Sequence, residues 1–424
     1  MALVGAGTIL GFQCIPTSEC FPLHAASAIA AIAFLANLPQ LPPNDDDEQS
    51  EIADGIGELL TGMGPPPLPR PSMSTRKPKS PNPEFKPLSP ASYFSQALEI
   101  SLPTRALNIR VYYTPPKYDG GGVIVSHHGA GYAGTSFACL PKEISEVMRD
   151  NVVCAISLAF DARRHGKITS SQSDEDLSIN VLVEDFCALL QTIHPDVAAV
   201  PNLMLVGHSM GGSVCVRACP ILQQRKFNIA GVAVLDVVEG TAVEALPHMH
   251  AILNSRPEGF DSVEEAIEWH VNTGLVHNPI SARVSIPSII VSADSPLTPS
   301  TRANIGFKYK WRTPLRSTAP HWDSKPILAP LICILIFLSR WFPSLSSLFL
   351  GLRSARLLVL AGAERLDTTL MVGQMQGKFW LEVMAGSGVG HLMHEDNPTK
   401  LADFWRRNER IVVRGNVIKT VGEV

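Results

Sequence analysis

The sequence predicts an α/β fold: a mainly parallel central sheet with helices on both faces and an inserted cap region. Three observations carry this expectation. From about residue 90 onward, short apolar runs of strand length alternate with segments of helical periodicity. The runs are apolar throughout, as strands buried on both faces require. The alternation breaks once, between Glu239 and about Ser354, the natural place for a cap over a sheet edge.

The elements follow in chain order. Residues 1 to 87 are expected to form a poorly ordered leader. It carries NDDDEQSE at 44 to 51 and GPPPLPRPSMSTRKPKSPNPEFKP at 64 to 87. Proline-rich, polar, mixed-charge sequence buries too little surface to offset its ordering entropy. The apolar stretch AASAIAAIAFLANL (25 to 38) is preceded by no Lys or Arg, so it lacks the positive flank of a secretory signal. The main domain is expected over 88 to 412. ALNIRVYYTPP (106 to 116) alternates as a strand should. GVIVSHHGAG (122 to 131) and NVVCAISLAFDARRHG (151 to 166) are apolar runs that end in loops. SINVLVEDFCALLQTIH (178 to 194) has the spacing of an amphipathic helix. NLMLVGHS (202 to 209) reads as a short strand and MGGSVCVRACPILQQ as the helix after it. IAGVAVLDVVEG (229 to 240) and ARLLVLAGAERLD (355 to 367) are further strands running into acidic residues, and FWLEVMAGSGVGH (379 to 391) follows. NPTKLADFWRRNERIV (397 to 412) reads as a final helix, with 413 to 424 as a tail. The cap, about 240 to 354, holds two helical patterns, AVEALPHMHAILNSRP and VEEAIEWHVNTG. It also holds ILAPLICILIFL (327 to 338), a run of 12 residues closed by Arg340 and Pro343. That is well short of the roughly 20 residues a membrane span needs.

Composition narrows the function. Hydrophobic residues make up 45% of the 424 and charged residues 17%, enough apolar content for a sizeable core. The net charge of −4 does not suggest a nucleic-acid partner, which calls for a basic face. The eight cysteines form no CxxC pair, and several lie in apolar runs where a reduced cysteine packs as a small hydrophobe. The expectation is a reducing compartment, cytoplasmic or nuclear, without a membrane partner. There is no HExxH and no Walker glycine–lysine loop, so neither metal nor other cofactor is expected.

The chemistry concentrates at LVGHSMGGS (205 to 213). Gly207-His208-Ser209-Met210-Gly211 fits G-x-S-x-G where a strand ends and a helix begins. Such a corner lifts a serine hydroxyl to the carboxyl end of the sheet, beside free helix N–H groups that favour a developing oxyanion. Ser209 is the candidate nucleophile and the Met210 N–H one oxyanion donor. A second donor is expected from HHGAG, as the Ala130 N–H, with Gly131 giving room for substrate. The base should follow the last strand. His391, directly after the glycine-rich loop, is preferred over His394, which is expected to support the turn. The acid stays open on physical grounds. Asp367, with Glu364 nearby, follows the penultimate strand, and Asp236 follows the strand after the nucleophile helix; either carboxylate would hold the imidazole tautomer. His128 and His165 are expected to be structural, and Arg163 and Arg164 to be a solvated loop.

The GHSMG arrangement resembles the α/β-hydrolase fold. A narrower likeness lies beside it. LDVVEGTAVEAL (235 to 246), RPEGFDSVEEAIEWHVNTG (256 to 274), SARVSIP (281 to 287), VGQMQGKF (372 to 379) and GHLMHEDNP (390 to 398) together resemble the protein phosphatase methylesterase family, over roughly residues 88 to 410. The resemblance implies a cofactor-free serine carboxylesterase that removes the methyl ester from the C-terminal leucine of the protein phosphatase 2A catalytic subunit. Matched residue by residue, it implies Ser209 as nucleophile, Asp236 at the start of DVVEG as acid, and His391 before HED as base, with Asp367 as the fallback acid. A protein tail as substrate implies a groove framed by 239 to 320, lined by Gly131, Tyr132 and Met375.

The chain departs from the family pattern in three places. HHGAGYA (127 to 133) stands where the family has LHGGGHS, so Ala130 and Tyr132 replace glycine and histidine. About 323 to 340 reads as extra sequence between KWRTPL and WFPSLSSLFLG, from a mispredicted splice junction or a lineage-specific loop. The first 40 residues match nothing in the family pattern. Two alternatives stand beside the methylesterase reading: a generic small-ester hydrolase or lipase of the same fold, and a non-catalytic phosphatase-binding protein.

Overall fold

One ten-stranded sheet runs through the computed structural model, which describes residues 12–15, 79–114, 122–147, 156–172, 174–197, 200–244, 256–294, 307–313 and 340–407. The strands are β1 (Phe12–Ile15), β2 (Gln96–Leu102), β3 (Leu107–Thr114), β4 (Val123–His127), β5 (Ile156–Phe160), β6 (Thr169–Ser170), β7 (Leu203–His208), β8 (Ile229–Leu235), β9 (Ile290–Ser292), β10 (Tyr309–Trp311), β11 (Ala355–Leu360) and β12 (Trp380–Val383). The helices are α1 (Cys139–Val147), α2 (Ile179–Ile193), α3 (Met210–Gln224), α4 (Glu239–Glu244), α5 (Val263–Asn272), α6 (Pro279–Ser285), α7 (Leu345–Leu350), α8 (Thr368–Met375), α9 (Met393–Asp396) and α10 (Pro398–Arg407).

The sheet order is β1-β2-β3-β5-β4-β7-β8-β11-β12, with β6 beside β3. From β5 to β12 every neighbouring pair is parallel, while β1, β2, β3 and β5 pair antiparallel. The central strands are apolar at successive positions because both faces are covered. Val232 and Val234 of β8 enter one core with Phe186 of α2 and Val214 of α3. Ala233 and Leu235 enter the other with Leu140 of α1 and Trp405 of α10. Antiparallel β9 and β10 form a separate two-stranded sheet in the cap.

The structure corrects part of the expected leader. Phe12–Ile15 is a strand paired with β2, from Phe12 opposite Ile100 to Ile15 opposite Ala97. Lys79 to Lys86 lie against the cap: the Lys79 N–H donates to Asp261 Oδ2 at 2.7 Å, and its ammonium pairs with Glu268 at 2.5 Å. Lys79 to Pro87 are therefore ordered through polar contacts with Asp261, Glu268 of α5 and Arg283 of α6 that local composition cannot report; the rest of the expected leader lies outside the described residues. So do 323 to 339 and the tail at 413 to 424. Both sides of the extra stretch are anchored. Arg312 donates to Gly166 O at 3.0 Å and Ile168 O at 2.9 Å, and the buried Trp341 donates its Nε1 hydrogen to Leu177 O at 2.7 Å. Among the described residues no helix is long and apolar enough to cross a membrane; the run 327 to 338 is not among them.

Candidate active site

The elbow begins where β7 ends. Gly207 and Gly211 let strand and helix close up: a Cβ on Gly207 would lie 2.2 Å from Gly211 O, and one on Gly211 2.1 Å from His127 O. Between them Ser209 adopts φ 52° and ψ −118°, a costly conformation for a residue with a Cβ. Its N–H still donates to Leu235 O at 3.0 Å, tying the corner to β8. The next strand repeats the device. Asp236, directly after β8, has φ 48° and donates its N–H to Val359 O at 2.8 Å. Two side chains with functional atoms thus stand at the carboxyl ends of neighbouring parallel strands.

His391 comes from the loop after β12 and meets Asp236: Nδ1 donates to Oδ2 at 2.7 Å. A carboxylate only accepts, so the hydrogen sits on Nδ1 and Nε2 carries the lone pair. The Ala361 N–H donates to Asp236 Oδ1 at 2.8 Å, and Arg365 Nη1 donates to the same Oδ2 that His391 uses. Asp367, the other open candidate for the acid, is engaged elsewhere. It caps α8 by accepting from the Leu370 N–H at 2.8 Å and accepts from Ser346 Oγ at 2.5 Å. Of the two carboxylates, Asp236 is the one bonded to His391. Burial pushes the His391 pKa below the usual histidine value; Asp236 raises it in part, and Arg365 opposes that gain.

Ser209 Oγ and His391 Nε2 are both buried, and neither has a hydrogen-bond partner. The nucleophile–base contact is not made in this arrangement. His208 braces the loop, its Nε2 donating to His391 O at 2.9 Å. His394 is fully buried and stacks on Phe137 with ring centroids 4.4 Å apart, so it supports the turn as expected; burial lowers its pKa to about 3. His128 accepts from the Ala162 N–H at 2.9 Å and packs edge-on against His165, so both are structural. Arg163 departs from the solvated loop expected of it. It is 7% exposed and forks onto Asp185 of α2, at 2.6 and 2.9 Å.

The second glycine loop lies beside the elbow. A Cβ on Gly129 would stand 3.3 Å from Ser209 Cβ, which places the Ala130 and Gly131 backbone next to the serine. The Ala130 and Met210 N–H groups are not used in the backbone hydrogen bonding around the elbow. Tyr132 is 2% exposed, its ring 6.5 Å from that of His208. Met375, at the end of α8, is 80% exposed. Arg365 is the site residue that the motifs did not single out. It lies in LAGAERLD, where attention falls on the acids, and a cation two residues before an aspartate at a strand end was the available signal. Among the described residues no group of three or more His, Cys, Asp or Glu is placed to hold a metal ion.

The model of the alpha/beta hydrolase family matches residues 123–404. Protein phosphatase methylesterase 1 of Cryptococcus neoformans var. neoformans is 42% identical over 423 residues, covering 90% of this chain and 92% of that one. The protein of the same name from Yarrowia lipolytica is 37% identical over 392 residues, covering 84% and 85%. That of Schizosaccharomyces pombe is 36% identical over 328 residues, covering 76% and 86%. The likeness to the first therefore extends past residues 88 to 410. Among solved structures, E-2-(acetamidomethylene)succinate hydrolase superposes with a TM-score of 0.50 at 15% identity, over 73% of this chain and 98% of that one, a likeness of fold alone.

Proposed function

The chain belongs to the α/β-hydrolase family and, within it, to the protein phosphatase methylesterases, and from that premise we propose that Ser209, His391 and Asp236 form its catalytic triad. The protein is a carboxylic ester hydrolase. The observation that carries the assignment is the 2.7 Å bond from His391 Nδ1 to Asp236, which leaves Nε2 as a base beside the strand end that carries Ser209.

Ser209 Oγ attacks the ester carbonyl carbon while its proton passes to His391 Nε2. The contact absent at rest forms on this path, as catalytic hydrogen bonds commonly tighten only in the bound complex. The Ala130 and Met210 N–H groups hold the tetrahedral oxyanion, and one such donor is worth about 3 kcal/mol of barrier. The carbon–methoxy bond breaks and His391 returns the proton to the leaving oxygen, so methanol departs. Water then attacks the acyl-enzyme and gives a proton to His391. The intermediate collapses, Ser209 recovers its proton, and the free carboxyl product leaves.

The substrate of this reading is the methyl-esterified C-terminal leucine of the protein phosphatase 2A catalytic subunit. Its support is the name shared by the relatives together with the DVVEG, SARVS and GQMQGKF segments. A macromolecular substrate also fits the surface beside Met375. Met371, Val372 and Met375 of α8 and Trp380 of β12 are exposed large apolar residues, a surface that a protein partner covers. A reducing, cytoplasmic or nuclear location fits Cys139, Cys187, Cys215 and Cys219, which are buried and unpaired.

The test is methanol release from methylated phosphatase catalytic subunit by the full chain, by Ser209→Ala, and by a chain lacking residues 323 to 340. Release abolished by Ser209→Ala supports the reading. Turnover of small esters with none of the methylated subunit would replace it with a generic esterase. Tight binding of the subunit without release of methanol would replace it with a non-catalytic binder.

A further inference from the structure

We infer that Arg365 is a positioning residue: its guanidinium clamps the Asp236 carboxylate against His391 and sets how readily that imidazole takes a proton. The inference rests on the proposed roles of Ser209, Asp236 and His391.

The geometry begins with the turn after β11. Ala361 and Arg365 both belong to it, and both donate to Asp236, the first to Oδ1 at 2.8 Å and the second to Oδ2. His391 Nδ1 completes the set on Oδ2. Three donors on two oxygens stop the carboxylate from rotating. The Asp236 side chain is fully buried and that of Arg365 is 13% exposed, so water screens the pair weakly.

The charge count gives the clamp its consequence. An aspartate–histidine dyad alone carries −1 at rest and 0 once the imidazole is protonated. With Arg365 seated, the same states carry 0 and +1. Burial penalises a net charge, so the guanidinium moves the penalty from the resting state to the imidazolium. It keeps His391 neutral, and ready as a base, at lower pH than Asp236 alone would allow.

The other groups facing His391 do not duplicate this role. His208 comes from β7 and His394 from α9, and burial holds both below the usual histidine range. Asp396 of α9 is already occupied. It accepts from the His277 N–H at 2.7 Å, from His277 Nδ1 at 3.2 Å and from the Gly390 N–H at 2.7 Å. Arg365 is the cation in direct contact with the acid.

The experiment compares wild type, Arg365→Gln, Arg365→Lys and Ser209→Ala. The first readout is kcat/KM for 4-nitrophenyl acetate between pH 4 and 9. The second is the NMR titration of His391, which needs no turnover. Gln keeps a donor toward Oδ2 and removes the charge, so the acid limb and the His391 midpoint should rise by about one pH unit. Lys keeps the charge and should leave the limb near its wild-type position while lowering the plateau, because a compact ammonium does not reproduce the planar guanidinium's Nη1 contact with Oδ2. A limb and a midpoint unmoved by Arg365→Gln would overturn the inference, whatever happens to the plateau. Should Arg365→Gln not fold, Arg365→Lys decides: a limb shifted as far as neutralisation predicts overturns it, and an unshifted limb with a lowered plateau supports it. Activity persisting in Ser209→Ala would instead sink the triad assignment, so the two failures are distinguishable.

Discussion

Replacing each candidate acid by its amide separates the two carboxylates that the sequence leaves open. Asp236 accepts from Ala361, His391 and Arg365, and its side chain is fully buried. Asn offers one acceptor oxygen, and its NH₂ must face at least one of those donors. Two costs follow. Removing one partner of a buried ion pair costs about 3–5 kcal/mol, and the slight exposure of Arg365 argues for the lower end, about 3 kcal/mol. The amide also ceases to fix the Nδ1–H tautomer, a defect that lowers kcat by about 10⁴-fold in triad hydrolases. Asp367→Asn is a different perturbation. That side chain caps α8 and accepts from Ser346, and Asn caps nearly as well, so the cost should stay under about 1 kcal/mol with activity within about twofold of wild type. Methanol release and urea unfolding measure both variants. Should Asp236→Asn keep more than about a tenth of wild-type activity, the assignment of the acid fails, and an Asp367→Asn defect of comparable size would move the acid to Asp367.

Three further outcomes follow from the same surroundings. Burial raises the Glu395 pKa from 4.5 to about 8, so the folded chain holds a proton that the unfolded chain releases. Stability should therefore fall as pH rises from about 4.5 to about 8, and Glu395→Gln should flatten that slope in urea titrations, by at most roughly 5 kcal/mol. His277 has the opposite charge type: its bond to Asp396 raises its pKa, so its contribution is complete below about pH 6.5 and disappears as pH climbs through the folded value. Partial exposure limits this to under about 1 kcal/mol, and His277→Ala should lower the unfolding midpoint at pH 5.5 and leave it unchanged at pH 9. Gly129→Ala puts a Cβ 2.6 Å from His208 Nδ1. Displacing His208 loosens its bond to His391 O, so kcat should drop at least about tenfold with about 1–3 kcal/mol of destabilisation. Wild-type kcat in that variant would show that His208 does not brace the loop.

The legible parts of the fold are those where one local pattern has one meaning. Strands β4, β7, β8 and β11 are buried at every position, and continuous apolar runs announced them. β2 carries no such pattern because its burial is irregular, with Glu99 half-exposed and Ser101 exposed within QALEISL. α8 carries none either, because it buries only Leu370 and Gly373 while exposing Met371, Val372 and Met375, so its apolar residues mark no single face. The site divides in the same way. Ser209 and His391 stand out as candidates because glycines bracket the first and a glycine-rich loop delivers the second. Asp236 needed the family resemblance, since two strand ends offer a carboxylate. Arg163 and Arg365 escaped because their meaning lies in partners 22 and 129 residues away, and a cation in a loop looks the same locally whether water or a buried carboxylate receives it.

The place of the proposed acid, directly after β8, accounts for its contact with Arg365. β8 adjoins β7, so an acid after β8 stands one strand spacing, about 4.8 Å, from the nucleophile strand, and one after β11 would stand about two. Delivering the carboxylate from the nearer strand has a conformational cost. Six described non-glycine residues have positive φ, and of these Ser209 and Asp236 directly follow parallel strands. Strain of this kind costs about 1–3 kcal/mol and persists only where surrounding contacts over-determine it. At Asp236 the contacts come from β11 and its turn: Val359 O receives the main-chain N–H, while Ala361 and Arg365 hold the two carboxylate oxygens. The strand that leads to the other candidate, Asp367, here supplies the cradle of Asp236. The turn after β11 therefore holds the acid of the proposed triad while contributing none of its three members.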